Sequence, residues 1–367
     1  MMMHGIPSAC ACLYLLSLYA SFSSAADSER DDFRQIYGQY QKYIQQEDWS
    51  NALAAAEKAL QRGLQVFDEK SENVANLRLN YAKLLIRFEK FDPAAQQLES
   101  ALAAKEKAPG KSPEQLIEIL LQLGVASHHS KRASVSAKHL KRAAKLAAGT
   151  SNASYEASVN FAAGLSLVNL GSSRRAKPFL ERAQEIYHKM LGETDPRGAI
   201  TSLHLGNIQL TEKDHKAARR SLELAVLGLT SPSAAHRQFA LASRRLLVQV
   251  LERLDLGDEA TVHCVDFAKI KANGGSARPE LLHRGPFPGT QLFDEFTSGD
   301  VMIEFTVDEA GYVSNPQIVF SSAKELNRTM LKWAQTLRYS PGISAGYVVK
   351  TYGVRKRYKN TTNVRFR

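Results

Sequence analysis

Two periods of apolar residues divide the chain. From Asp31 to about Ala272, small or apolar residues recur in sets of three, at internal spacings of four and then three. The sets are Ala52, Ala56, Ala59; Ala94, Leu98, Ala101; Ser136, Leu140, Ala143; Ala176, Leu180, Ala183; Ala218, Leu222, Ala225; and Ala260, Cys264, Phe267. Spacings of four and three put each set on one helix face. First members lie 42, 42, 40, 42 and 42 residues apart, so the pattern predicts about six stacked helix pairs. A small residue stands twelve positions before the first member in four of them (Ala82, Gly124, Gly164, Gly206), where two helices can approach closely. Breakers fall between pairs at Pro109-Gly110, Gly149, Asp195-Pro196 and Ser231-Pro232.

Past Gly274-Gly275-Ser276 and the Pro/Gly-rich stretch to Gly289, read as a linker over 273–298, the period falls to two. Val301, Ile303, Phe305 and Val307 alternate with Met302, Glu304 and Thr306, which predicts a half-buried strand. Asp308-Glu309-Ala310-Gly311 reads as a turn in which Gly311 supplies a positive φ. Val313 to Phe320 returns as a second strand, with Pro316 at a bulge or an unpaired edge position. Ser322 and Glu325 form a capping box that starts a helix with the stripe Leu326, Met330, Trp333, Leu337. Tyr347 to Val354 is the expected third strand. The fold class is therefore mainly α: an α-solenoid followed by a small α+β domain of hairpin, helix and strand.

The segments "DWSNALAAAEKAL" (48–60) and "KFDPAAQQLESAL" (90–102) resemble the second helix of tetratricopeptide repeats, with Trp49 and Phe91 at the aromatic position. The long period is similar to that of kinesin light chains. That resemblance implies a concave groove that holds a peptide or protein, without catalysis. Such a groove is lined mostly by first helices, which makes Asn80, Asn160 and Asn207 candidate groove residues.

The last quarter resembles the C-terminal domain of the TonB energy-transducer family. The matching residues are Gly299-Asp300-Val301, "FTVDEAGYVSNPQIV" (305–319), Ser321-Ser322, "LRYSP" (337–341), Gly346 and the lead-in Pro286-Phe287-Pro288. Leu337 stands where the family has tryptophan, and helical repeats replace the family's proline-rich spacer. The resemblance implies a sheet edge that accepts an extended segment of an outer-membrane receptor as an added strand. Unpaired backbone groups on an edge template another chain. The candidate edge residues are Tyr347, Val349, Lys350, Thr351, Tyr352, Val354, Arg355 and Arg357. No acid follows Glu325, so these cations either steer an acidic peptide to the edge or deter self-association.

The first 26 residues carry no Lys, Arg, Asp or Glu, and an apolar core runs from about Cys10 to Phe22. Ser24-Ala25-Ala26 before Asp27 suits a cleavage site, so 1–26 reads as an export signal and, by resemblance, the protein as periplasmic in a Gram-negative bacterium. An uncleaved membrane anchor is the alternative. The domains expected are a signal (1–26), TPR-like repeats (27–272), the linker (273–298) and the TonB-like domain (299–367).

Net charge is +11, but basic residues are spread through the helices without interleaved aromatics, which argues against nucleic acid. Cleavage would leave Cys264 as the lone cysteine, on an apolar face. The sequence holds no Gly-rich phosphate loop, no G-x-S-x-G motif and no Cys/His metal spacing. His128-His129 and His139 are its densest histidines. No enzyme, cofactor, metal or small-molecule substrate is expected. The expectation is an exported adaptor for protein partners, accessory to TonB-dependent transport. An anchored energy transducer is the second reading.

Overall fold

The computed structural model describes residues 10–108, 112–130, 132–230, 232–286 and 299–360, with residues 10–27, 299, 359 and 360 described by backbone alone. Of the positions read from sequence, residues 1–9 of the leader, the breakers Pro109-Gly110 and Ser231, residues 287–298 of the lead-in and linker, and residues 361–367 of the expected last domain lie outside them.

The helices come in the expected pairs. They are α1 (Cys10–Gln45) with α2 (Trp49–Val66), α3 (Glu72–Arg87) with α4 (Phe91–Lys107), and α5 (Pro113–His129) with α6 (Ala133–Ala148). Next come α7 (Ala153–Asn169) and α8 (Ser173–Leu191), α9 (Pro196–Thr211) with α10 (His215–Gly228), and α11 (Arg237–Arg253) with α12 (Gly257–Ala272). Two compact units divide the chain at Ala176/Lys177, within α8. In each unit, successive helices pack on one another, as a repeat that cannot bury its apolar face alone requires.

Every member of the six three-residue sets is buried, none more than 3% exposed. The small residues twelve positions earlier do what their size allows. A Cβ on Gly124 would come within 2.5 Å of Leu140, and one on Gly206 within 2.6 Å of Leu222. Ser136, the one polar first member, is buried and donates its hydroxyl to the Gly124 carbonyl at 2.6 Å. We expect Gly206→Val to cost about 1–3 kcal/mol through overpacking. Gly38→Ala, with nothing within 4 Å of its Cβ, should instead gain about 0.5–1 kcal/mol of helix propensity. Chemical denaturation of the two variants checks the pair.

The turn inside a pair carries a device the apolar pattern did not reveal. Five residues before the first set member the backbone is left-handed, at Glu47, Glu89, Gly171, Lys213 and Asp255. The equivalent Lys131 lies outside the described residues. Asp48 and Asp214, which follow two of these residues, cap α2 and α10 through Asn51 N and Ala217 N.

The C-terminal part belongs to the second unit. Strand β2 (Gly299–Val307) pairs antiparallel with β3 (Val313–Ser321) on one side and β7 (Thr351–Asn360) on the other, giving the order β3-β2-β7. Helix α13 (Asn327–Ala334) packs on this sheet, and Val301, Ile303, Phe305, Met330, Trp333 and Leu337 close the core. Asn315 is left-handed and the β2–β3 register shifts beside it, so Pro316 does sit at an irregularity on an edge strand.

Three expectations are corrected. The helix does not start from a Ser322 cap. The Ser322 hydroxyl accepts from Asp300 N at 2.9 Å, and a 3₁₀ turn (Lys324–Leu326) precedes α13. The strand expected over 347–354 is broken at Lys350. Ala345 and Gly346, both at positive φ, fold β5 (Gly342–Ser344) back on β6 (Tyr347–Val349), and a separate strand, β7, continues to Asn360. The stretch read as a linker is structured up to Pro286. Leu281–His283 forms β1, paired with β4 (Arg338–Tyr339), and Ala277 exchanges both backbone hydrogen bonds with Ile343.

Candidate functional site

The "LRYSP" element is the hinge pin between repeat helices and sheet. Arg338 is 1% exposed. Its Nη2 donates to the Gly257 carbonyl at 3.2 Å and to the Thr261 hydroxyl, both at the start of α12. Its Nε lies 3.3 Å from Glu252 Oε1 at the end of α11. The guanidinium also sits 3.4 Å over the Tyr312 ring, which belongs to the turn before β3. One side chain thus ties α11, α12 and the sheet together. Around it, Tyr339 N donates to Gly311 O at 2.9 Å, and Ser340 and Glu280 bond to each other through Ser340 N and Ser340 Oγ. A side chain at Gly311 is excluded twice, by its positive φ and by a Cβ position 2.1 Å from the Tyr339 carbonyl.

Burial shifts the titratable groups here. It raises the Glu252 carboxyl above the usual range, with Arg338 pulling the other way. The Cys264 thiol is pushed up to about 11, so it is a buried apolar group and not a nucleophile. The Tyr339 phenol rises to about 12.

The proposed edge residues divide among different places. Tyr347 and Val349 belong to β6, which pairs with β5 and not with the main sheet. Lys350 stands between strands, 5.8 Å over the Tyr352 ring. Thr351, Tyr352, Val354, Arg355 and Arg357 lie on β7, opposite β2. The outer side of β7 has no strand partner among the described residues. Two of its cations are already paired: Arg355 Nε donates to Glu304 at 2.7 Å, and Arg357 Nε to Asp300 at 3.0 Å. A charge count along the tail misses this, because the acids sit on β2, more than fifty residues earlier. They become neighbours only through the antiparallel register. Lys356, between the two arginines, faces the other way and lines a cleft beside α11.

The three groove asparagines also separate. Asn160 is buried and donates to the Glu156 carbonyl one turn earlier, which removes it from the surface. Asn80 is half-buried on α3. Asn207 is exposed and lines a cleft of about 590 Å³ with α11 and α12 residues. Sequence reading missed the α11 side of that cleft.

His129 stacks on Phe91, with ring centroids 3.9 Å apart, so its ring packs against the aromatic position of the second pair. Among the described residues no group of three or more His, Cys, Asp or Glu could hold a metal ion. No helix among them is long and apolar enough to cross a membrane.

Comparison with known proteins agrees with the helical architecture. Residues 43–107 match the tetratricopeptide repeat family. The crystal structure of BtubC (BKLC) from P. vanneervenii superposes with a TM-score of 0.50 at 18% identity, covering 65% of this chain and 94% of that one. The apo form of RapI superposes at 0.49 and 10% identity, covering 66% and 91%. A Rap protein complexed with competence and sporulation factor superposes at 0.43 and 14% identity, covering 66% and 70%. No curated protein matches the chain. The family match and the superposition on BtubC give the repeats the TPR-like fold, a solenoid-type helical array with a small strand-rich part at the end of the chain.

Proposed function

We propose that this protein is a non-enzymatic, exported adaptor that binds other proteins through two surfaces: the repeat helices and the outer edge of β7. The repeat fold supports the first, because stacked helix pairs build extended recognition surfaces. The outer side of β7, which has no strand partner among the described residues, supports the second and carries the proposal. A strand whose backbone donors and acceptors have no partner on one side can take on another chain. The sheet that bears this edge is fastened to α11 and α12 through Arg338, so an added strand meets a prepared surface. The partner proposed is the periplasmic segment of an outer-membrane receptor, on the resemblance of the hairpin, helix and returning strand to the TonB C-terminal domain. Residues 1–26 act as the export signal and direct the protein to the periplasm of a Gram-negative bacterium.

The test uses the full chain, isotopically labelled, titrated with peptides from receptor periplasmic segments. Binding should perturb backbone amides along 351–358 and protect them from exchange, leaving β3 unchanged. Perturbation confined to β3 or to the helices defeats strand addition at β7. N-terminal sequencing of the mature protein, expected to begin at Ala26 or Asp27, checks export.

A further inference from the structure

The i, i+4 ridge of α11 reads Arg237, Leu241, Arg245, Gln249, Arg253. Residues four apart are neighbours on a helix surface, so this ridge is continuous. Two clefts follow it. The first, of about 590 Å³, takes in Arg237, Leu241 and Arg245, with Lys271 and Phe267 from α12. The second, of about 410 Å³, takes in Arg245, Gln249 and Arg253, with Arg284 beyond β1 and Lys356 from β7. They meet at Arg245 and Glu280, which line both.

The charge of this double cleft is one-sided. Six cations line it, and Glu280 is the single carboxylate among the lining residues. Glu280 is held by Arg245 and by Lys271, whose charges lower its pKa against the opposing effect of burial. Arg253, Arg284 and Lys356 form no ion pair among the described residues. Burial, then Arg284, lowers the Lys356 ammonium, and burial, then Arg253, lowers the His283 imidazole. Arg245 is stacked 5.2 Å over Phe267, and its buried Nε has no hydrogen-bond acceptor among the described residues. Like charges that line one cleft cost free energy unless an anion joins them.

We infer that this double cleft binds an acidic peptide segment, which lies along the α11 ridge and places carboxylates on Arg245, Arg253, Arg284 and Lys356, with Glu280 occupying the central position in its absence. The clefts extend along the ridge on both sides of Arg245, a shape for a run of residues and not for one small anion. Leu241 and Phe267 supply apolar contact between the charged points. Glu280 acts as an internal competitor, since its carboxylate already makes the contacts that a peptide carboxylate would make on Arg245 and Lys271. This site deepens the protein-binding reading by naming the chemistry of one partner, and it does not depend on strand addition at β7.

The probe is a fluorescein-labelled Glu-Pro repeat peptide, read by anisotropy against the full chain at low salt, with a Lys-Pro repeat as control. Proline at every second position leaves backbone donors on one side of the peptide only, so hydrogen exchange along 351–358 is read in the same titration, and its remaining unchanged on binding separates this site from the β7 edge. The Glu-Pro peptide should bind and the Lys-Pro peptide should not. Arg253→Glu, at an exposed position, should weaken binding about tenfold, and Lys356→Glu by a similar factor. Glu280→Gln should tighten it about threefold by removing the competitor. Circular dichroism confirms that each variant is folded. The proposal is overturned if Arg253→Glu and Lys356→Glu bind as the parent does, or if the Lys-Pro peptide binds equally. It is also overturned if equimolar inorganic phosphate displaces the peptide, which would make this a small-anion site. Receptor peptides that bind β7 while the Glu-Pro repeat does not would sink this inference and leave strand addition standing.

Discussion

Arg338→Ala is expected to destabilise the C-terminal unit by about 3–5 kcal/mol, because it leaves Glu252 half-buried without its cation. The loss has three parts. The hydrogen bonds to Gly257 and Thr261 disappear, the Tyr312 ring loses the guanidinium above it, and the Glu252 carboxylate stays where burial already disfavours its charge. Glu252→Gln in the same background should recover part of the loss, since a neutral amide there needs no counter-charge. Arg338→Lys should not restore the parent. A single ammonium cannot reach Gly257, Thr261 and Glu252 together as the planar fork does. Denaturant unfolding of the four proteins gives the comparison. A change below about 1 kcal/mol for Arg338→Ala would mean that the sheet holds to the helices without this residue.

The second large effect is one of acid sensitivity. His283 on β1 is buried, and burial together with Arg253 lowers its pKa from 6.5 to about 4. It is therefore neutral in the folded chain at pH values where the unfolded chain would protonate it. Between pH 6.5 and 4 the unfolded state binds more protons, so stability falls as pH falls through that window and is fully present above it. The full span corresponds to about 3 kcal/mol, at about 1.4 kcal/mol for each pKa unit. His204 and His263 in the same unit are lowered by burial as well and tilt the curve the same way. The raised pKa of Glu252 tilts it the opposite way. The difference between the parent and His283→Gln isolates the one residue. The variant should lose about 3 kcal/mol less than the parent between pH 7 and pH 4. Parallel curves would show that His283 does not carry the effect.

The sequence by itself determined the helix pairs. A set of three apolar positions is a local pattern that only a helix can bring to one face, and repetition at 40 to 42 residues leaves no other way to bury those faces than stacking. It likewise determined the alternation of β2, the need for glycine at position 311 and the burial of Cys264. Tertiary structure alone decided which charges remain available. Arg355 and Arg357 look free along the chain, yet Glu304 and Asp300 neutralise them across the sheet, whereas Lys356 between them turns toward α11. Asn160 looks like a groove residue until its amide is found on the Glu156 carbonyl. The basic ridge of α11 is regular in sequence, but helices often carry basic faces to water. Only the approach of β1 and β7 makes this one the wall of a cleft. The physical reason is common to all three. Burial patterns repeat over a few residues of one element, while the fate of a charge depends on a partner that folding brings from far along the chain.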